Sequence, residues 1–256
     1  MNFTCARCEE RGGIAIFTID RPHILNALDA VCQEELLTFA EYFDRTDHLS
    51  LAIITGAGEE AFVSGADINM LENAHGLSSL GNKLRKALWV LEHSAKPVLC
   101  AVNGVAFGGG FEIALACDIR IVSDNACFAL PETGLGILPG AGGTQRLTHI
   151  VGAGIAKDMI LAGRRLNAQE AVQYGLAICS VPQNALMEET LKLAERIMSK
   201  GPAAIRISKQ LINASTHMDM DTGIAMESLG LAVLLEAPEK QEGVRAFLEK
   251  RPPRFT

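Results

Sequence analysis

The sequence predicts an α/β fold, and three features of the chain carry that prediction. Apolar, strand-like runs alternate with amphipathic helical stretches as far as about residue 130, a pattern typical of α/β domains. Glycine- and proline-rich turns separate these runs. From about residue 140 the pattern becomes mostly helical, and the composition shifts near 195–200. We therefore expect a core, residues 1–195, followed by a helical region, residues 196–256.

The first elements are predicted to be a hairpin and a helix. Residues 2–10 and Ile14–Asp20 read as two strands, and Gly12-Gly13 between them is a hairpin signal. Asp29 is placed to cap a helix that runs to about Phe43, because an aspartate oxygen can accept from the first unpaired N–H groups.

The later elements follow from apolar runs and from the residues that interrupt them. Strands are predicted at Leu51–Thr55, 98–102, 119–123 and, more weakly, Leu176–Val181, whereas residues 59–67 read as a loop. Helices are predicted near 78–93, 183–199, 202–214, 219–235 and 238–249. Proline punctuates several of these helices.

Composition argues against several classes of protein. The 256-residue chain is 48% hydrophobic, which supports an ordinary globular core. Its formal net charge is −7 without a basic stripe, which argues against nucleic acid as the main partner. No run of 18 apolar residues predicts a membrane span. Because the N-terminal stretch also lacks an apolar signal region, we expect a cytoplasmic protein.

The sequence predicts neither a metal site nor a separate cofactor. The seven cysteines are scattered and odd in number, as expected for reduced thiols in the cytosol. Cys5-x-x-Cys8 has no second pair to complete a four-ligand zinc site, and the six histidines show no metal spacing. The dinucleotide-binding, P-loop and serine-nucleophile glycine motifs do not occur either.

A triple glycine marks the first part of the candidate site. Gly108–Gly110 precedes a helix-like run, Phe111–Cys117. Glycine lets a backbone approach a ligand closely, and the first N–H groups of a helix are unpaired and polarised. The N–H groups near Gly109 could thus hold an oxyanion, with Glu112 about one turn further on the same face. The alternative is that the glycines only permit tight helix packing and Glu112 is solvated.

A second carboxylate, Glu132, follows twenty residues later, between Pro131 and a glycine-rich loop. Glu112 and Glu132 both lie in charge-poor surroundings. Burial there would raise a carboxyl pKa and suit acid–base work near neutrality. We interpret Asp118 and Arg146, by contrast, as structural.

These segments resemble the enoyl-CoA hydratase/isomerase (crotonase) family. The matching strings are NGVAFGGGFEIALACDIRI at 103–121, FALPETGLGILPGAGGTQRL at 128–147 and FVSGADINM at 62–70, with RPHILNAL at 21–28 and AFLEKR at 246–251. The resemblance covers essentially the whole chain. It implies a spiral of ββα units that contains an acyl-CoA site, followed by a C-terminal helical region used for trimerisation.

The resemblance implies an enoyl-CoA hydratase, which adds water to a trans-2-enoyl-CoA to give a 3-hydroxyacyl-CoA, as in fatty-acid β-oxidation. Glu112 and Glu132 would hold and activate the water, and the N–H groups of Ala66 and Gly109 would hold the thioester oxygen. A Δ3,Δ2-enoyl-CoA isomerase of the same fold is the alternative, and typically needs only the base at the Glu132 position. A non-catalytic acyl-CoA- or RNA-binding relative is the third possibility.

The resemblance also implies coenzyme A contacts and a homo-oligomer, either a trimer or a dimer of trimers. Coenzyme A would be part of the substrate, so no cofactor is implied. Asn69 stands where many family members have lysine, which removes a cation from the acyl-CoA entrance. The residues implied to bind acyl-CoA are Ile24, Leu25, Ala66, Asp67, Ile68 and Gly109, together with Phe247 and Lys250 from a neighbouring subunit. Leu71, Leu80, Leu84, Trp89 and Leu138 are open to two interpretations, as the lining of an acyl-tail pocket or as core.

Overall fold

Two β-sheets organise the computed structural model, which describes residues 3–67, 72, 75–76 and 81–255. The strands are β1 (Ala6–Arg11), β2 (Ile14–Ile19), β3 (Leu51–Gly56), β4 (Ala61–Val63), β5 (Val98–Val102), β6 (Val105–Phe107), β7 (Ile119–Ser123), β8 (Cys127–Ala129), β9 (Leu166–Asn167) and β10 (Cys179–Val181). The larger sheet has the order β1-β2-β3-β5-β7-β10, and the smaller has the order β4-β6-β8-β9.

Helices pack around these sheets and make up most of the chain after β10. They are α1 (Ala30–Arg45), α2 (Lys83–His93), α3 (Gly109–Ala116), α4 (Gly143–Leu161), α5 (Ala168–Gln173), α6 (Leu186–Met198), α7 (Pro202–Ala214), α8 (Met220–Glu236) and α9 (Pro238–Leu248). Short 3-10 helices span Pro22–Ile24, Pro131–Leu135 and Gln183–Ala185. Helix α4 is interrupted at Gly152, where φ is 79°.

Three successive ββα units, β3-β4-α2, β5-β6-α3 and β7-β8-α4, place the site. In each unit the first strand belongs to the larger sheet and the second to the smaller. Strands β4, β6 and β8 are parallel neighbours. Their carboxyl ends therefore emerge at one edge of the smaller sheet, and so do the segments that follow them.

The main core lies between the larger sheet and the helices. Strands β3 and β5 are buried along their whole length, as expected for parallel strands that are covered on both faces. The rings of Phe17, Phe39 and Phe43 stack in series where α1 packs on the sheet. The Asp29 side chain accepts from the Cys32 N–H at the start of α1, which confirms the predicted cap.

The structure confirms the hairpin, α1, the long buried strands and the four late helices, with shifted ends. The first strand begins at Ala6 rather than residue 2, and the run at 176–181 shortens to β10. Helix α3 starts two residues earlier than predicted, at Gly109. The predicted helix near 78–93 is described from Lys83 onwards, and residues 77–80 lie outside the described part.

Strands β4, β6, β8 and β9 escaped the sequence analysis, and β4 lies within the predicted loop 59–67. The division of the chain into 1–195 and 196–256 stays a prediction. Within the described ranges, no helix is both long and apolar enough to cross a membrane.

Candidate active site

Three segments meet at the carboxyl edge of the smaller sheet. Ala66 follows β4, Gly108 and Gly109 follow β6, and Glu132 follows β8. The segments lie side by side: a Cβ built on Gly108 would lie 3.1 Å from the side-chain atom Glu132 Oε1 and 3.9 Å from the Gly65 Cα. The topology thus brings together residues that lie far apart in sequence.

The three consecutive glycines each have a different reason to lack a side chain. Gly108 adopts φ 51° and ψ −125°, a conformation that residues with a Cβ avoid. A Cβ on Gly109 would lie 2.9 Å from Leu84 Cδ2, and one on Gly110 would lie 2.2 Å from the Val63 carbonyl oxygen. Close packing of α3 on β4 therefore accounts for Gly110, so the packing alternative is correct at that position.

Gly109 is the first residue of α3, so its N–H has no partner within the helix. Nor does this N–H have a backbone acceptor among the described residues. The Gly108 N–H, by contrast, is bound to the Ala129 carbonyl at 3.0 Å. Gly109 therefore presents an unpaired, positively polarised donor beside Glu132.

The backbone at Ala66 is paired with Leu28. Leu28 forms a parallel bridge with Ala66, in which the Leu28 N–H donates to the Gly65 carbonyl and the Asp67 N–H donates to the Leu28 carbonyl. In this pattern the backbone groups of the bridged residue itself point away from its partner. The Ala66 N–H therefore points away from Leu28, and its convergence with the Gly109 N–H on one ligand oxygen stays a prediction.

Glu112 is buried on α3, with 3% of its surface exposed. Its Oε1 accepts from the Ala141 N–H at 2.7 Å and from the Gly143 N–H at 2.8 Å. Burial raises the pKa of Glu112 to about 7, the two N–H donors oppose this rise, and the charge of Glu132 adds to it. The group can therefore exchange a proton near neutral pH, so the solvated alternative for Glu112 is wrong.

Glu132 lies in the 3-10 helix Pro131–Leu135 and is half-buried. Its Oε2 is buried and has no hydrogen-bond partner among the described residues. Burial raises the pKa of this carboxyl as well. Leaving a buried carboxylate oxygen without a hydrogen-bond donor destabilises the ionised form. A proton or a polar ligand at this oxygen would supply the missing bond.

Comparison with known proteins identifies the family. The family model described as enoyl-CoA hydratase/isomerase matches residues 9–256. The chain belongs to this family. It is 42% identical over 248 residues to the short-chain-enoyl-CoA hydratase of Clostridium acetobutylicum, covering 95% of this chain and 94% of that protein.

Further comparisons agree with this assignment. The chain is 39% identical to the crotonyl-CoA hydratase of Syntrophomonas wolfei, with 96% of each chain covered. The crystal structure of an enoyl-CoA hydratase from Bacillus anthracis matches with a TM-score of 0.94 and 36% identity, over 98% of this chain and 99% of that one. The architecture is therefore the crotonase fold, as the sequence analysis expected.

In this member of the family, Leu25 lies against the segment that follows β4. The Ser64 N–H donates to the Leu25 carbonyl at 3.1 Å, and Leu25 has φ 53°. Ile24 and Leu25 both expose side-chain surface. Whether Ile24 and Leu25 contact acyl-CoA stays a prediction.

The other residues implied to bind acyl-CoA are placed less completely. Asp67 is bound through its N–H to Leu28, whereas Ile68 lies outside the described residues. Phe247 is 82% exposed near the end of α9, and Lys250 follows that helix with φ 54°. Whether these residues contact acyl-CoA stays a prediction.

The candidate tail-pocket residues do not form one group. Leu84 is buried and lies under Gly109, whereas Trp89 and Leu138 are exposed. Leu71 and Leu80 lie outside the described residues.

The structural roles expected for Asp118 and Arg146 are confirmed. Asp118 Oδ2 accepts from the Val98 N–H at 2.7 Å and pairs with Lys209 Nζ at 2.8 Å. Arg146 contacts the loop that holds Glu112. No group of three potential metal-ligating side chains occurs in the part of the chain that the structure describes.

Two buried asparagines that shape the site escaped the sequence analysis. Asn26, with φ 57°, donates from Nδ2 to the carbonyls of Ala57 and Ala61. Asn103 donates to the Gly58 and Ala61 carbonyls and accepts from the Gly56 N–H. They connect the 21–28 loop and the start of β6 to the segment that enters β4. An amide side chain inside an apolar stretch was the signal in each case.

Proposed function

We propose that this protein is an enoyl-CoA hydratase, a hydro-lyase that adds water across the double bond of a trans-2-enoyl-CoA. The observation that carries the proposal is the pair of carboxyl groups, Glu112 and Glu132, beside two unpaired backbone donors. Burial raises the pKa of both carboxyl groups. Acid–base hydration beside an oxyanion is the chemistry that such an arrangement supports.

The backbone donors would stabilise the charge that develops during the reaction. The thioester oxygen accepts from the N–H groups of Ala66 and Gly109, so that negative charge can accumulate there as water adds to C3. Fixed donors of this kind need no reorganisation as the charge appears. A side chain larger than the Ala66 methyl group would crowd the thioester, and Gly109 already has Leu84 beside it.

The two glutamates would transfer the protons as one water molecule adds across the double bond. Its oxygen bonds to C3, one of its protons remains on that oxygen, and the carbon–carbon π electrons move toward the thioester. The proton given up by water passes to a carboxylate, and a proton from the carboxyl pair is delivered to C2. Because coupled carboxyl groups titrate as a pair, the proposal assigns these steps to Glu112 and Glu132 together.

Short enoyl-CoA thioesters are the proposed substrates, within fatty-acid metabolism. Two relatives, 42% and 39% identical to this chain, are named short-chain-enoyl-CoA hydratase and crotonyl-CoA hydratase. Coenzyme A enters as part of the substrate, so the proposal requires no separate cofactor. We also propose a cytoplasmic location, in keeping with the seven free cysteines.

A homo-oligomer is proposed as the working form, a trimer or a dimer of trimers. Helix α8 has no buried residue, although its mean composition is apolar. Large exposed apolar surfaces are unusual on monomers, so we propose that a second subunit packs against this helix. The exposed apolar residues of this helix are Met220, Ile224, Met226, Leu229, Leu231, Val233 and Leu235. Light scattering at micromolar concentration tests the proposal, and a monomer would contradict it.

Phe247 and Lys250 would then contribute to a neighbour's coenzyme A site. If Lys250 meets the ligand far from the reacting carbons, Lys250→Ala should raise KM more than it lowers kcat. Crotonyl-CoA kinetics across a salt series test this, and an unchanged KM would remove Lys250 from the site.

Product analysis separates hydration from isomerisation. The protein is incubated with crotonyl-CoA and, separately, with a 3-enoyl-CoA, and the products are resolved by chromatography. Formation of 3-hydroxybutyryl-CoA supports the hydratase. Conversion of the 3-enoyl-CoA without any hydration of crotonyl-CoA would favour the isomerase, and absence of both reactions would favour the non-catalytic relative.

A further inference from the structure

Arg146 forms an unusually complete set of contacts beside the site. Its side chain is 14% exposed. Nε and Nη2 donate to the two carboxylate oxygens of Glu92 at 2.9 and 2.8 Å, and Nη1 donates to the Ala141 carbonyl at 2.7 Å. A planar guanidinium presents its donors in a rigid fork that matches both oxygens of one carboxylate, a geometry that an ammonium group does not reproduce.

The peptide units around Ala141 connect this guanidinium to Glu112. The Ala141 carbonyl accepts from Arg146, while the Ala141 N–H and the Gly143 N–H both donate to Glu112 Oε1. Gly142 lies between the two donors with φ 105°, and a Cβ built there would lie 2.3 Å from Arg146 Nη1. The guanidinium is therefore packed directly against the turn that aims both donors at the carboxylate.

Glu92 is itself held in place by the C-terminal helical region. It lies in the last turn of α2, where carbonyl groups lack helical partners. From α7, Asn213 Nδ2 donates to the Glu92 carbonyl at 2.9 Å, and Lys209 Nζ donates to the Leu91 carbonyl. The orientation of Glu92, and through it that of Arg146, thus depends on α7.

We propose that Arg146, held by Glu92, is a positioning residue that fixes residues 141–143 so that their two N–H groups hold Glu112 in its working geometry. The inference deepens the proposed function and rests on it, because it assigns a purpose to the geometry of Glu112. It also gives α7 a part in the active site of its own subunit.

The charges near Glu112 fix the direction of the expected effect. Glu132, from the 3-10 helix, raises the pKa of Glu112, whereas the Arg146 charge and the two N–H bonds from residues 141–143 lower it. Loss of the guanidinium removes its charge and loosens both N–H bonds. The pKa of Glu112 should therefore rise in Arg146→Ala, and the acid limb of the rate profile should move to higher pH, by roughly one unit.

The experiment compares crotonyl-CoA hydration by the full-length wild type, Arg146→Ala, Arg146→Lys and a matched control, Arg164→Ala. Arg164 also pairs with two carboxylates, Asp158 and Glu170, and among the described residues its side chain bonds to Tyr174 but not to residues 139–143. We expect Arg146→Ala to lose about 10- to 100-fold in kcat with little change in KM, because small misplacements of catalytic groups are costly. Lysine should restore the charge but only part of the rate, and the control should stay near wild type.

Chemical rescue adds a readout that a purely structural role would not move. Millimolar guanidinium should return part of the lost rate to Arg146→Ala and shift its acid limb back, with no effect on the control. A folded Arg146→Ala with near-wild-type turnover would overturn the proposal. So would a rate loss that guanidinium does not recover and that leaves the acid limb unchanged.

Glu92→Gln keeps the inference testable if Arg146→Ala fails to fold. It leaves the guanidinium present but loosens its anchor, so a smaller loss in kcat and an upward move of the acid limb are expected, and an unmoved limb would refute the role. NMR titration of labelled glutamate carboxyls follows the pKa of Glu112 without any turnover. A wild type that does not hydrate crotonyl-CoA would overturn the proposed function, and this titration would still decide the positioning role.

Discussion

Replacing Glu112 with glutamine is expected to stabilise the fold above neutral pH while it abolishes the chemistry. Burial raises the pKa of Glu112 from 4.5 to about 7 in the folded protein. A carboxyl group whose pKa is raised by folding stabilises the folded protein fully at pH values below its pKa in the unfolded chain, near 4.5. This stabilisation is lost as the pH rises through its pKa in the folded protein. Ionising the buried group therefore costs about 3 kcal/mol once the pH exceeds 7.

The variant is expected to remove this penalty without losing the hydrogen bonds. A glutamine side-chain oxygen can still accept from the N–H groups of Ala141 and Gly143. Between pH 5 and pH 8 the wild type should lose about 2.5 kcal/mol of unfolding free energy more than Glu112→Gln does. Urea denaturation of both proteins at these two pH values, at one protein concentration, measures the difference.

Glu188→Gln is the matched control for this experiment. Hydrogen bonding to Lys192 lowers the pKa of the exposed Glu188, so its contribution is present above the unfolded pKa and lost only at more acidic pH. Its glutamine variant should leave the difference between pH 5 and pH 8 unchanged. If Glu112→Gln and the wild type also showed the same difference, the buried, near-neutral carboxyl would be refuted.

Three further substitutions test the geometry around the site. Gly110→Ala places a Cβ 2.2 Å from a β4 carbonyl oxygen. It should lower the free energy of unfolding by about 1–3 kcal/mol and remove most of the activity. Gly154→Ala is the control, because open space surrounds Gly154, and its melting temperature should be unchanged or higher. Gly109→Pro removes the proposed oxyanion donor and should lower kcat roughly 10²–10³-fold below Gly109→Ala, which crowds Leu84 but keeps the N–H; equal rates in the two folded variants would exclude the donor. Lys209→Met removes the ammonium group that pairs with Asp118 and should destabilise by about 3–5 kcal/mol in urea. A loss below 1 kcal/mol would contradict a buried ion pair.

The larger sheet and the helices could be predicted from the sequence because their signals are local. Strands β3 and β5 are continuous apolar runs between glycine or proline turns, and α1 has its cap at Asp29. Burial on both faces requires such runs. Their ends were less certain, because fraying and tertiary contacts decide the terminal residues.

The smaller sheet could not be predicted in this way. Strands β4, β6 and β8 are three residues long, and each pairs with a strand from another ββα unit. So short a run has no readable period, and the pairing is favourable only after the larger sheet has brought the units together. The edge that collects Ala66, Gly109 and Glu132 is therefore a product of topology.

The glutamates and the triple glycine were recognisable from residue type and surroundings, but their supports were not. The sequence places Glu112 one turn after Gly109, yet the donors that hold its carboxylate come from residues 141 and 143. Arg146 was expected to be structural, and only the structure shows that it contacts the same loop. Contacts of such long sequence separation leave no local pattern.

Hydration of crotonyl-CoA by the single and double glutamine variants of Glu112 and Glu132 tests the central claim most directly. Each single variant should lower kcat by about 10²–10⁴-fold while remaining folded by circular dichroism. The double variant should be little slower than the worse single one, because the two groups act on one water molecule as a unit. A folded single variant with near-wild-type turnover, or losses that multiply in full, would contradict the proposed pair.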